Sequence, residues 1–427
     1  MFLTRHFVVA GLLLICLWLP ASAAEYLIES IEFSGNRVTK DHILLQEMLF
    51  NAGDSVSDEQ IEQARQSIMD LDIFKAVISE LQATDNGHRL LISVDEKRYW
   101  FIVPKLSRSG DGDVAYGGEL QIDNLAGRNQ RLEFNFRKKK FDDTDIDEEE
   151  QVELEFQSPR IFRSPFELNL DIKKEQAALE EDRFGVLGNY DRDLDDYGFT
   201  LARWKNALGP SKGWRYFGGA SVQQFDHTFL SGTPGLFFDA DIISLIGGFS
   251  FFDVQNYLFS REGIHFGYRT NLSTDTFGSD VSFAKHAVFY RRYKRITQRP
   301  HTNFNMQLRF GYITRSIFGD PTFSVASGRT IRGFDRDSLE GDAFIIGNLQ
   351  FLTPLYGKNA LRGVTFLDFG NAYENIHEVD LSDLKFGAGI GLRWKVKSFV
   401  KFDLRLDIAH GFPSGELKVF AGTRTVF

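Results

Sequence analysis

From residue 98 to the C-terminus the chain alternates between apolar and polar residues. Leu132, Phe134 and Phe136 are interleaved with Arg131, Glu133 and Asn135. Phe166, Leu168, Leu170 and Ile172 are interleaved with Glu167, Asn169, Asp171 and Lys173. Phe304, Met306, Leu308 and Phe310 oppose Asn305, Gln307 and Arg309. Val400, Phe402, Leu404, Leu406 and Ile408 oppose Lys401, Asp403, Arg405 and Asp407. Successive side chains of a strand point to opposite faces, so a sustained period of two specifies amphipathic strands. About sixteen such segments can be counted, starting near residues 99, 113, 129, 150, 165, 195, 213, 239, 260, 280, 300, 341, 361, 383, 399 and 415. An even number of antiparallel strands suits a closed barrel. The 42 Phe and 38 Gly, against 4 Met, fit strands and turns better than helical bundles. Alternation alone does not separate a soluble sandwich, polar side outward, from a membrane barrel, polar side inward.

The N-terminus moves the reading to the membrane. Arg5 and His6 precede an apolar run, Phe7 to Leu19, and the small residues Ala21, Ser22, Ala23 and Ala24. A basic start, a short apolar core and an A-x-A exit describe a signal peptide over residues 1–23, cleaved after Ala23 or Ala24. The run is shorter than the ~20 residues a spanning helix needs, and nothing after it approaches that length. An exported chain without spanning helices is periplasmic, secreted or a barrel. Cys16, the one cysteine, lies in this leader after Leu14-Ile15 rather than after a small residue, which argues against lipoprotein processing. The mature chain is expected to have no disulfide and no thiol ligand. The charge of −10 argues against a nucleic-acid binder, and the basic run Arg137 to Lys140 reads as a solvated loop.

Residues 24–97 read as a separate α/β unit. Tyr26 to Phe33 is a strand ending at Ser34-Gly35-Asn36. Thr39 can cap a helix running to Glu47, and Asp58 to Leu71 carries Ile61, Ala64 and Ile68 at helical spacing. Strands Phe74 to Leu81 and Leu90 to Val94 flank an Asn86-Gly87 turn. The order β-α-α-β-β, with Phe33-x-Gly35-Asn36, Phe74 and Val94-x-Glu96, resembles a POTRA domain, the periplasmic module of bacterial outer-membrane assembly and secretion proteins. That resemblance implies binding of extended polypeptide by addition to a sheet edge; the alternative role is a spacer.

Connection lengths give an orientation for the barrel, residues 98–427. The second, fourth and sixth connections are short: Asn124 to Arg128, Pro159 to Ser164, and Leu208 to Lys212. The third, fifth and eleventh read as long charged loops: Arg137 to Glu149, Lys174 to Leu194, and Arg315 to Glu340. Short inner turns and long outer loops are the asymmetry of outer-membrane barrels. The last strand ends on Phe427, a C-terminal aromatic that resembles the β-signal of outer-membrane proteins.

Three motifs follow in order. Ile331-Arg332-Gly333-Phe334 lies in the longest late loop. Gly341-Asp342-Ala343-Phe344 continues to Gly347-Asn348-Leu349-Gln350-Phe351 and Pro354. Phe366-Leu367-Asp368-Phe369-Gly370 comes next. This set resembles the POTRA-plus-barrel (surface-antigen) superfamily of outer-membrane assembly factors and two-partner secretion transporters. The resemblance implies an all-β transmembrane barrel of about 16 antiparallel strands with one N-terminal α/β POTRA domain. It implies that the loop tip folds into the lumen and that Arg332 docks on Asp368, which shares a face with Phe366 and Gly370. Gly333 lets the tip turn tightly. Many relatives place a carboxylate where this chain has Gln350, which is expected to accept a hydrogen bond from Arg332 without bringing charge. Assembly factors carry several POTRA domains and this chain shows one.

The implied function is insertion or translocation of polypeptide at the bacterial outer membrane, with the POTRA domain in the periplasm. A dedicated exporter for one secreted partner, and a passive pore or surface antigen without client traffic, stay open. The implied partners are membrane lipid, unfolded outer-membrane or secreted polypeptide, and accessory periplasmic proteins. A weak seam is expected between the first and last strands. Pro104 lacks a donor N–H, unless the strand begins after it, and Gly422 falls inside the last strand.

Catalysis is not expected. His265, His286 and His301 lie on separate segments without ligand spacing, and no cofactor or metal is implied. Gly209-Pro210-Ser211-Lys212-Gly213 matches a nucleophile elbow only in letters, because a strand pattern rather than a helix follows it.

Overall fold

The structure is a computed structural model. It describes residues 25–108, 114–140, 149–161, 164–183, 186–206, 210–296, 299, 301–317, 322–335, 338–355, 358–413 and 417–423. The leader and Phe427 lie outside the described residues.

The N-terminal domain comprises β1 (Glu25–Ser34), α1 (Asp41–Leu45), β2 (Ser55–Ser57), α2 (Asp58–Asp70), β3 (Phe74–Ala83) and β4 (His88–Glu96), with sheet order β2-β1-β4-β3. The short β2, pairing antiparallel to β1, has no sequence counterpart in the β-α-α-β-β reading. Ser57 and Gln60 form a capping box that starts α2. Thr39 does not cap α1: its hydroxyl donates to Glu96 Oε1 (2.7 Å), and α1 begins after Lys40 without a side-chain cap. Ile28, Leu44, Ile68, Phe74, Leu90 and Ile92 are fully buried in the core. This core is shared. Val400, from a barrel turn, is buried within it, and Tyr99 and Leu258 pack against it.

The remaining chain forms β5 (Trp100–Arg108), β6 (Val114–Leu125), β7 (Gln130–Lys140), β8 (Glu149–Ser158), β9 (Phe166–Arg183), β10 (Val186–Trp204), β11 (Gly213–Gly232), β12 (Ala240–Asn256), β13 (Arg261–Ser273), β14 (Phe283–Arg295) and β15 (Asn303–Ile313). A small ribbon in the long loop, β16 (Phe323–Ser324) with β17 (Glu340–Gly341), precedes β18 (Ala343–Leu355), β19 (Lys358–Tyr373), β20 (Lys385–Lys395), β21 (Asp403–Phe412) and β22 (Leu417–Gly422). All but the ribbon join one 16-stranded sheet in chain order from β5 to β22. The pleat sorts the residues: Leu392, Trp394, Leu406 and Ile408 are exposed on the outer face, while Arg393, Lys395, Arg405 and Asp407 are buried on the inner one. The polar face lines a lumen, the arrangement of a membrane barrel. Among the described residues, no helix is long and apolar enough to cross a membrane.

Three expectations about the barrel are corrected. Arg137 to Lys140 is not a loop but the end of β7, paired with β6 and, through Lys139, with β8. The segment Lys174 to Leu194 is not a loop: β9 and β10 stay paired as far as Arg183 and Val186. Cross-strand charges replace apolar alternation there, with Lys174 Nζ 2.7 Å from Asp195 Oδ2 and Arg192 Nη2 2.5 Å from Glu175 Oε1. In addition, Gly422 ends β22 rather than lying inside it, because β22 has only six residues.

Candidate functional site: the lumenal loop tip, the seam and the barrel floor

Arg332 is wholly buried and sits at the tip of the loop between β15 and β18. Its Nε donates to Asp368 Oδ2 (2.6 Å) and its Nη2 to Asp368 Oδ1 (2.8 Å), a two-pronged fork. Its own backbone N–H donates to the same carboxylate (3.1 Å). The guanidinium lies over the Phe366 ring, 3.3 Å from the centroid. The fork fixes both planes, which a lysine cannot do.

Local sequence explains why the tip reaches this far inward. Gly333 has φ +99°, and a Cβ there would lie 2.5 Å from Gly411 N. Gly387, facing the tip on β20, leaves room for the Arg332 carbonyl; a Cβ would approach that oxygen to 1.9 Å. Ile331 and Phe334 are buried with Val325, Ala326, Phe344 and Ile346, so the tip also carries an apolar anchor. Gly370 stands two residues beyond Asp368 on the same face of β19.

No hydrogen bond joins Gln350 to Arg332, contrary to expectation. In the ladder Asn348, not Gln350, lies opposite Asp368. Asn348 Nδ2 donates to Asp368 Oδ1 (2.8 Å) and to the Thr330 carbonyl (2.7 Å). Gln350 is one pleat repeat, ~7 Å, further along the strand. The second carboxylate comes from β21: Asp407 Oδ2 accepts from Arg332 Nη1 (3.0 Å), and Arg393 contributes bonds of 2.5 and 3.0 Å to Asp407. Asp407 was missed as a partner, although its inward face was legible in the alternation of its strand.

The loop tip also touches the last strands. Arg405 Nη1 donates to the Gly328 carbonyl (2.7 Å), and Lys418 on β22 pairs with Asp335. Among the described residues no ladder joins β5 to β22. The one ladder of β22 among the described residues is with β21, from Arg405↔Gly422 to His410↔Leu417. Outward apolar side chains of both edge strands are exposed, Trp100 and Ile102 at 63% and 65% and Leu417 and Val419 at 70% and 65%, as is Ile390 of the interior strand β20 at 61%. Pro104 lies within β5, opposite Gly118, and proline is tolerated on an edge strand. Below the edge, Arg98 N–H donates to Ser398 O (2.7 Å) and Val400 N–H to Arg98 O (3.1 Å), tying the start of β5 to the β20–β21 turn.

The N-terminal domain covers the adjacent mouth of the barrel. Lys40 N–H donates to Gly127 O (3.0 Å) in the β6–β7 turn. Asp70 binds Lys212 (2.5 Å) in the β10–β11 turn and the Asn256 N–H (2.6 Å) at the end of β12. Glu47 accepts from the Ser211 N–H (3.2 Å), so Ser211 of the elbow-like pentapeptide sits in a turn against a carboxyl. Burial, reinforced by the nearby Asp70, pushes the Glu47 carboxyl up to about 7 against the opposing pull of Arg160, Ser211 and Lys212. Lys97 and Asp72 form a buried pair (2.7 Å).

Comparison with known families decides between the barrels that this geometry allows. The Omp85 superfamily domain model matches residues 124–410. The chain belongs to the Omp85 superfamily. The POTRA model, described as surface antigen variable number repeat, matches residues 26–97. A curated relative, outer membrane protein assembly factor BamA of Neorickettsia risticii (strain Illinois), is 29% identical over 143 residues, which is 33% of this chain and 18% of that protein. Among solved structures, CdiB from Escherichia coli superposes with a TM-score of 0.64 at 13% identity, covering 92% of this chain and 75% of that one. CdiB from Acinetobacter baumannii gives 0.62 at 14%, covering 92% and 72%. BamA from Haemophilus ducreyi lacking POTRA domains 1–3 gives 0.51 at 15%, covering 92% and 83%. At these identities the superpositions establish the fold of this Omp85 chain. Among its described residues no group of His, Cys, Asp or Glu could hold a metal ion.

Proposed function

We propose that this Omp85 chain sits in the bacterial outer membrane with its POTRA domain in the periplasm. There it assists insertion or translocation of polypeptide without catalysing any reaction. The observation that carries this reading is that, among the described residues, no ladder joins the edge strands β5 and β22, whose outer faces are apolar. A strand edge in lipid leaves backbone donors and acceptors without water, so it favours a partner strand. An incoming polypeptide supplies one by β-augmentation. The free edge of β3 in the POTRA sheet offers the same chemistry before the membrane is reached. The lumen is occupied by the loop tip and floored by the POTRA domain, which disfavours a passive pore in this state.

The test is site-specific photo-crosslinking in living cells, with the probe at Ile78 on β3 and at Ile102 on β5. Crosslinks to newly exported polypeptides from both positions support the reading. Crosslinks from neither, in a correctly folded and membrane-inserted protein, refute it and leave a surface barrel without client traffic.

A further inference from the structure

Between the Arg332 cluster and the POTRA floor lies a small chamber of about 50 Å³. Arg261, Arg362 and Lys395 line it together with Asp403, which stands opposite Lys395 in the β20–β21 ladder. Asp72, paired with Lys97, also acts on Lys395 and Arg261, so counting that pair four positive charges meet two negative ones. Among the described residues Arg261, Arg362, Lys395 and Asp403 make no close ion pair; Arg261 lies over the Tyr293 ring, 5.9 Å from its centroid. Five lining atoms are buried and find no hydrogen-bond partner among the described residues: the donors Gln350 Nε2 and Arg362 Nε, the hydroxyl Ser260 Oγ, and the acceptors Asn303 Oδ1 and Asp403 Oδ1. Gln350, Ser260 and Arg362 are 3%, 5% and 7% exposed. Buried donors and buried unpaired cations are both costly, and native proteins satisfy them with water or with a counter-ion.

The ladder sharpens the imbalance. Arg362 of β19 stands opposite Arg393 of β20, and Arg393 stands opposite Arg405 of β21. Like charges directly opposite one another destabilise a sheet. The nearest carboxylate in that row, Asp407, is already shared by Arg332 and Arg393. Arg362 faces the chamber with, among the described residues, the Phe259 carbonyl as its acceptor.

We propose that the chamber binds a small inorganic anion, a halide or a tetrahedral oxyanion, together with water. Its volume admits a few waters or one such ion. The donors converge from β18 (Gln350), β19 (Arg362), β20 (Lys395) and β13 (Arg261). The ion offsets the row of arginines beneath the loop tip and so supports the Arg332 cluster from the floor side. Asp403 opposes it, and its unpartnered Oδ1 calls for a bridging water.

The test measures the thermal unfolding midpoint of the detergent-folded full chain in chloride, phosphate and gluconate at equal ionic strength. A saturable rise in chloride or in phosphate, absent in gluconate, is expected, and the salt that produces it identifies the ion. Gln350→Glu places a tethered carboxylate in the chamber and abolishes the response. Asp403→Asn removes the repelling charge and lowers the half-saturating concentration on the order of tenfold. Equal midpoints in all three salts, or a Gln350→Glu protein that keeps the wild-type response, overturn the proposal. If Gln350→Glu does not fold, an unchanged half-saturation in Asp403→Asn overturns it equally.

Discussion

Replacing Arg332 by methionine keeps the aliphatic stem and deletes the guanidinium. The tip then loses its fork on Asp368 at 2.6 and 2.8 Å, its 3.0 Å bond to Asp407 and its stacking on Phe366. Asp407 keeps Arg393, but the Asp368 side chain keeps only the Asn348 amide and the tip's own N–H. Removing one partner of a buried ion pair costs about 3–5 kcal/mol, because the other charge is stranded. Water can follow into the lumen, so the lower figure applies. About 3 kcal/mol corresponds to roughly a hundredfold loss in the docking equilibrium. Hydrogen exchange at the amides of residues 322–335, read by mass spectrometry in the folded barrel, measures it. Asp368→Asn and the double variant complete a cycle. Because the two groups act as one unit, a coupling of about 2 kcal/mol is expected. Additivity to within about 0.5 kcal/mol, or an unchanged exchange pattern in Arg332→Met, would refute the docking argument.

The same exchange assay applies to Gly387→Ala, which leaves every charge in place. Its Cβ would meet the Arg332 carbonyl at 1.9 Å, so the tip should deprotect while the barrel stays heat-modifiable. The POTRA floor should be sensitive to pH through Glu47. Its carboxyl titrates near 7 when docked, against an ordinary 4.5. Docking is therefore strongest below about 4.5 and weakens by roughly 3 kcal/mol as pH rises to 7. Crosslinking yield between cysteines at Lys40 and Arg128 should fall over that interval, and Glu47→Gln should flatten the profile. Asp72→Ala should strand the buried Lys97 ammonium and lower stability by about 3 kcal/mol; denaturant titration of the POTRA signal checks it, and a loss under about 0.5 kcal/mol contradicts the pairing.

The barrel was legible where one face meets an apolar medium and the other a polar one. Leu404, Leu406 and Ile408 against Asp403, Arg405 and Asp407 fix the strand and its inner side together. The same rule failed for residues 174–194, because a strand that leaves the apolar belt and is polar on both faces has no period to read. The loop tip was reachable from Arg332-Gly333-Phe334 and the inward position of Asp368. Choosing Asn348 over Gln350, and finding Asp407, required the register. Both alternatives lie on the correct face, and period-2 reasoning cannot tell a residue from its neighbour two positions away. The shared core was hidden for a related reason: Val400 reads as one more apolar residue of an alternating strand, whereas β21 starts only at Asp403 and the fold brings Val400, in the turn before it, into the POTRA core.

The central claim is that the seam between β5 and β22 opens to admit a client strand. Residues 25–427 contain no cysteine, so a pair introduced at Leu106 and Thr423 reports without background, joined directly or by a short bis-maleimide. With the seam locked, polypeptide insertion should stop while the barrel remains folded, and a reducible link should restore it when cleaved. Full insertion or translocation with the seam quantitatively locked would contradict the claim and move the route to the lumen.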